Sequence, residues 1–252
     1  MSTDQSTRWT NLSQQNYIPQ VSIDCVIFGY ENKQLKVLIP KINFKGDFRA
    51  LPSGFVFQDE DVDQAAKRTL RERTGLTDIY PEQFCVFGNA DRNSKEFINR
   101  LRELNFGHVT EKSLTVDAQT EYEWFTKRFI SIGYYALVDI NKVVLQKSAI
   151  DDSINWYNLH DIPTMIMDHN HIIKKALQAL RRDLDEKLSA FNLLPETFTM
   201  KEVQEVYEAI FDKTFVRTNF QKMILDLNVL ERLEKKFTGA ANKAPYLYRI
   251  RK

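Results

Sequence analysis

Glu60, Arg68 and Glu72 are the side chains of this chain whose types and spacing come nearest to chemistry. They lie in residues 54–76, GFVFQDEDVDQAAKRTLRERTGL. Val62, Ala65, Ala66, Leu70 and Leu76 keep roughly helical spacing, and Gly75 stands where a helix C-cap belongs, so a strand, an acidic turn and an amphipathic helix are predicted. Hard cations such as Mg2+ are held by carboxylate oxygens, and residues three or four apart share a helix face. This helix presents one glutamate, Glu72, with Arg68 four residues before it and Arg73 beside it. That set predicts an Arg68–Glu72 ion pair holding the loop and makes a poor magnesium site.

With its lead-in Leu51-Pro52-Ser53, the stretch resembles the Nudix box of metal-dependent pyrophosphatases, G-x5-E-x7-R-E-U-x-E-E-x-G-U, where U is aliphatic. Gly54, Glu60, Arg68, Leu70, Glu72, Gly75 and Leu76 fall at matching positions. Thr69 and Arg73 replace two glutamates of the motif. The resemblance therefore implies a Nudix scaffold whose metal site is gone, with Arg73 expected to set a cation where the metal would sit. No catalytic residue, metal or cofactor is expected, and the chain is expected not to be an enzyme.

The elements that must position these residues are legible from pattern. VSIDCVIFGY (residues 21–30) reads as a strand, and LKVLIPKI (35–42) as its returning partner. Strands are also predicted at EQFCVFG (82–88) and RFISIGYYALVDI (128–140), and near Trp156. Asp168 is expected to cap a helix starting at His169, with Ile173, Leu177, Leu180 and Leu184 inward. Residues 1–18 read as a polar tail. Residues 93–127 read as a surface insertion, whose aromatic residues Tyr122, Trp124 and Phe125 would also suit a lid or an oligomer contact.

Length and composition bound the rest. The chain has 252 residues, 43% hydrophobic and 27% charged, as ordinary soluble globular proteins do. Cys25 and Cys85 sit in apolar runs and are expected to be reduced, buried thiols. The polar N-terminus is no signal peptide and no run is long enough to span a membrane, so a cytoplasmic protein is expected. His169 and His171 are two apart, share no helix face, and are expected at the surface.

Near Ser189 the mixed pattern stops, and NLLPETF (192–198) reads as a linker. Thr199 to Glu202 fits a capping box, and Val203, Val206, Tyr207, Ile210 and Phe211 follow at helical spacing. A second helix holds Phe220, Met223, Ile224 and Leu227 inward; Arg217, Thr218, Asn219, Gln221 and Lys222 lie on the other side. A strand, loop and strand then carry Lys235, Lys236 and Lys243 at their tip. Helix, turn, helix and hairpin describe a winged helix-turn-helix at 191–252, whose second helix would enter the major groove while the wing lysines hold phosphates. From Arg217 onward there are nine basic and three acidic residues, in a chain of net charge +1. The basic charge is concentrated where a DNA-reading surface needs it.

A Nudix-like domain at 19–190 joined to a winged helix resembles the Nudix-related transcriptional regulators of bacteria. The likeness is carried by IDCVIFGY, LPSGFV, DEDVDQAAKRTLRERTGL, the DIP…DH run and FNLLPETFT, and is near the branch that regulates sugar use in Bacteroidetes, which includes an arabinose-responsive regulator. It implies an α+β fold, an α/β/α Nudix sandwich with a mixed sheet followed by the winged helix. It further implies a homodimer on a palindromic operator, controlled by a small effector, either a pentose or an ADP-ribose-like nucleotide. Asp24, Lys41, Asn89, Asp91 and Arg92 are the expected effector contacts, because they fall on strands or strand ends facing the cleft. The alternative is a hydrolase keeping weak Mg2+-dependent activity on a nucleoside diphosphate derivative.

Overall fold

A computed structural model describes residues 17–92, 95–106, 127–187, 189–236 and 244–251. The first half is built on a mixed sheet of strand order β4-β5-β1-β2-β6. Its strands are β1 (Tyr17–Glu31), β2 (Gln34–Ile42), β4 (Glu82–Phe87), β5 (Ile130–Val138) and β6 (Asp151–Asn158), and β3 (Ser53–Phe57) also pairs with β1. β1 and β5 run parallel; the other pairings are antiparallel. β1 begins at Tyr17, inside the stretch read as tail. The Tyr17 ring is buried, stacking on Phe57 at 5.0 Å and meeting Phe55 edge-on.

Alternation along β1 sends side chains to two faces. Ile23, Cys25 and Ile27 pack under α1 (Val62–Thr74) with Ala65, Ala66 and Leu70. Val26 and Phe28 face α3 (His169–Lys187), whose Ile172, Ile173, Ala176 and Leu180 are buried. The result is an α/β/α sandwich. α2 (Lys95–Phe106) falls within the predicted insertion, yet it is docked: Leu101 is buried with Ile42, Phe48 and Ala50, and Phe97 meets the Phe48 ring at 5.7 Å. Tyr122, Trp124 and Phe125 lie outside the described residues.

The second half contains β7 (Phe198–Thr199), α4 (Met200–Phe211), α5 (Arg217–Asp226), β8 (Leu230–Lys235) and β9 (Tyr246–Ile250), the strands forming a three-stranded sheet β7-β9-β8. The predicted capping box is present: Thr199 Oγ1 accepts the Glu202 N–H, and Glu202 accepts the Thr199 N–H at 2.6 Å. The segment read as a linker is core. Ala190, Phe191, Leu193, Leu194 and Phe198 are buried in one cluster that runs from the sheet through α3 to Val206, Tyr207, Ile210, Phe220 and Ile224. Among the described residues, no helix is long and apolar enough to cross a membrane.

Candidate functional site

The box helix α1 is fixed at both ends. Asp61 caps its start reciprocally with Gln64, and Gly75 closes it at φ 71°, in the left-handed region that glycine enters without cost. Arg68 grips Glu60 through Nη2 at 2.6 Å and Nε at 3.0 Å, gives Nη2 to the Phe55 carbonyl at 2.8 Å, and lies 3.5 Å from Glu72. Its guanidinium also stands over the Phe57 ring at 4.3 Å. Glu60 accepts the Phe57 N–H as well, at 2.9 Å. The expected Arg68–Glu72 contact is therefore the minor partner; Glu60 is the major one.

Arg73 does not stand beside Glu72. One residue further round the helix, it turns to the buried side and pairs with Asp151, whose carboxylate also takes the Ser148 N–H at 2.7 Å. Thr69 is buried under Gly54, and its hydroxyl has no partner in the structure. A Cβ at Gly54 would come within 2.6 Å of that hydroxyl oxygen, so threonine and glycine are matched in shape. These residues do not fit a magnesium ion. The first glutamate position is a buried threonine, Glu60 is neutralised by Arg68, and Glu72 is left as a lone oxygen donor.

Across the sheet, a buried polar cluster forms around Asp24. Its carboxylate accepts from Ser53 Oγ at 2.6 Å, from Arg92 Nη2 at 2.7 Å and from Ser131 Oγ. Arg92 is buried too; its Nε donates to both Asp168 oxygens, at 2.9 and 3.0 Å, while Nη1 has no partner in the structure. His169 Nδ1 accepts the Leu51 N–H at 2.8 Å, and Nε2 stands 3.9 Å from Asp24. Burial pushes the Asp24 carboxyl up, but His169, Arg92 and the two hydroxyls more than reverse this, leaving it below the ordinary aspartate value. Burial pushes His169 down, so the ring is neutral near pH 7.

Of the expected effector contacts, Asp24 and Arg92 thus meet, but in a closed network rather than an open cleft. Lys41 pairs elsewhere, with Asp152 at 3.1 Å. Asn89 and Asp91 are exposed on the turn whose Asn89 carbonyl accepts the Arg92 N–H at 3.2 Å. Sequence reasoning missed Ser53, Ser131, Asp168 and His169. His169 is buried, contrary to the surface position expected, and the Asp168 carboxylate serves Arg92. The Asp-His pair of the DIP…DH run was the available signal. A groove of about 420 Å³ opens elsewhere, between the β1–β2 turn and α4, lined by Lys33, Leu35, His160, Glu205 and Asp212 among others.

In the winged helix, Phe220 and Ile224 anchor α5 inward, and Arg217, Thr218, Asn219 and Lys222 are exposed, with Gln221 half-buried. Met223, expected inside, is 36% exposed. Among the described residues, neither Arg217 nor Lys222 has an ion-pair partner. The wing lysines differ: Lys236 lies 3.5 Å from Glu202, and Lys235 stands over the Tyr246 ring at 5.4 Å. Lys243 lies outside the described residues.

Comparison with known proteins agrees with this architecture. Residues 190–250 match the family described as the NrtR DNA-binding winged helix domain. The chain is 25% identical over 239 residues to the ADPR responsive transcriptional repressor NtrR of Acinetobacter baylyi, covering 92% of this chain and 82% of that protein. It is 28% identical over 160 residues to an ADP-ribose pyrophosphatase of Methanocaldococcus jannaschii, covering 64% of this chain and 74% of that enzyme. The crystal structure of Shewanella oneidensis NrtR superposes with a TM-score of 0.67 at 23% identity, covering 92% of this chain and 94% of that one. The chain is therefore NrtR-like, a Nudix-related domain followed by a winged helix domain of the NrtR type.

Proposed function

We propose that this protein is a DNA-binding transcriptional regulator, a repressor, whose Nudix-like half senses a small molecule and carries no hydrolase activity. The observation that carries the reading is the winged helix itself: a helix anchored by Phe220 and Ile224 that turns Arg217, Thr218, Asn219 and Lys222 outward. The relative from Acinetobacter baylyi, alike over 92% of this chain, is named as an ADPR-responsive repressor, which supports the same division of labour here. ADP-ribose is accordingly the first effector to test, and a free pentose such as arabinose the second. Residues up to about 190 form the sensing part and the remainder reads DNA, as a homodimer with one winged helix per half-site. In this reading the exposed Asn89–Asp91 turn, held from beneath by Arg92, contacts the effector, and the protein works in the cytoplasm.

What supports the absence of hydrolysis is that Thr69 and Arg73 stand where the box has glutamates and that Arg68 holds Glu60. Effector control requires that the ligand favour one arrangement of the two halves over the other. The test is a fluorescence-anisotropy titration of DNA fragments upstream of neighbouring genes, at two salt concentrations, with and without ADP-ribose and a panel of pentoses. Sequence-specific binding weakened by one ligand is the expected result. Binding no tighter than a salt-sensitive background on any fragment would overturn the reading, and so would turnover of ADP-ribose in Mg2+ or Mn2+ that Glu72→Gln abolishes.

A further inference from the structure

The exposed face of α5 carries more than a basic patch, and its chemistry specifies what it would read. Thr218, Gln221, Lys222 and Leu225 are spaced as i, i+3, i+4 and i+7, so they line one side of the helix, opposite Phe220 and Ile224. Asn219 flanks this face, and Leu225 is 42% exposed on it. The two cations divide differently. Lys222 lies in the row, whereas Arg217 begins the helix at the margin nearer the buried side. Asp226 closes the helix, where its charge disfavours approach of phosphates to the C-terminal end and favours entry by the N-terminal turns.

In the major groove, side-chain amides pair in bidentate fashion with the N6 and N7 edge of adenine. Apolar groups meet the thymine methyl, and guanine is read chiefly by arginine or lysine. The amides Asn219 and Gln221, the Thr218 methyl and the Leu225 side chain all belong to the first two classes. Lys222 is the single cation within the row. From Thr218 to Leu225 the helix rises about 10 Å, which is about three base pairs of groove.

Resting on the DNA-binding reading above, we infer that α5 reads a half-site dominated by A·T pairs. Asn219 and Gln221 take adenine edges, Thr218 and Leu225 take thymine methyls, and Arg217 and Lys222 hold phosphates. Leu225 then has a reason to be exposed on a surface that otherwise faces a polyanion.

The experiment is selection of a random-sequence duplex library by the full chain, followed by anisotropy on the winning duplex with single-position analogues. Deoxyuridine removes the thymine methyl without altering pairing, and 7-deazaadenine removes the N7 acceptor. The inference expects A·T-rich half-sites and an affinity loss of roughly 5- to 100-fold for 7-deazaadenine at one or two positions. Gln221→Ala and Asn219→Ala should each abolish the sensitivity at one such position while melting like the parent. Half-sites dominated by G·C pairs would overturn the inference and leave the regulator reading standing. So would A·T half-sites whose analogue sensitivity survives both alanine variants. Enrichment of no sequence at all would remove the DNA-binding reading itself.

Discussion

Lys33, at the tip of the β1–β2 turn, and Glu205, on α4, form an ion pair of 2.9 Å that ties the sheet to the winged helix. Both turn residues, Asn32 and Lys33, have positive φ, as a tight two-residue hairpin requires. The lysine side chain is 67% exposed, so the pair itself contributes at most about 1 kcal/mol. What joins the halves is the apolar cluster beneath it, through Phe191, Leu194 and Phe198.

That cluster predicts a single unfolding transition for the whole chain, followed by far-UV circular dichroism in urea and by tryptophan fluorescence. Phe191→Ala, at a site 4% exposed, should lower the midpoint of that one transition, at a cost of about 3–5 kcal/mol. Two separable transitions, only one of them displaced, would contradict it.

The Asp24–Arg92–Asp168 network predicts a large penalty for losing its cation. Arg92→Ala takes the shared cation from Asp24 and Asp168, leaving Asp24 only its two serine hydroxyls and neighbouring His169, and should cost about 3–5 kcal/mol in denaturant unfolding. Arg92→Lys should recover only part of this, because an ammonium cannot fork between both partners.

Stability should fall in two stages as the solution is acidified. Both His169 and Asp24 have pKa values lower in the folded protein than in the unfolded chain. Each therefore contributes stability that is present above its unfolded value and lost below it: first below about pH 6.5 for the histidine, then below about pH 3.9 for the aspartate. Urea midpoints measured from pH 8 to pH 4 should show the first stage, and His169→Gln should flatten it. An identical slope in the variant would remove His169 as the cause.

Restoring the acidic box should harm the protein rather than revive it. Thr69→Glu would force a long carboxylate against Gly54 inside the core, and Arg73→Glu would set a second buried carboxylate against Asp151. We expect Arg73→Glu alone to lower the melting temperature by many degrees, and Asp151→Arg in the same chain to recover part of the loss. Differential scanning calorimetry reads both effects.

Salt dependence of DNA binding should separate the cations. Arg217→Ala and Lys222→Ala should each weaken binding and reduce the slope of log K against log salt by about one. Lys236→Ala should do less, because Glu202 already sits 3.5 Å from it.

The longer strands, the Gly75 cap of the box helix, the capping box of α4 and the Phe220 and Ile224 anchors of α5 were legible because each obeys a local rule of period or cap chemistry. The Arg73–Asp151 pair and the Asp24 cluster were not, since their members come from distant segments and no spacing announces them. His169 shows why. Two histidines two residues apart on a helix read as solvated, and only the Leu51 N–H, from the loop before β3, and Asp24, from β1, make one of them interior. The 192–198 stretch misled for the opposite reason. Asn, Pro, Glu and Thr among its apolar residues look like a linker, while Leu193, Leu194 and Phe198 fill the seam.

That seam also bears on how such proteins can diversify. A DNA-reading module that ended on a flexible tether could be exchanged between sensors by simple recombination. Here a chimera spliced at residue 190 would bring a foreign winged helix against Leu177, Leu180 and Leu184 and remove Phe191, Leu194 and Phe198, which fill the space beside them. Engineered hybrids that exchange one half for another will therefore need that shared surface transplanted whole.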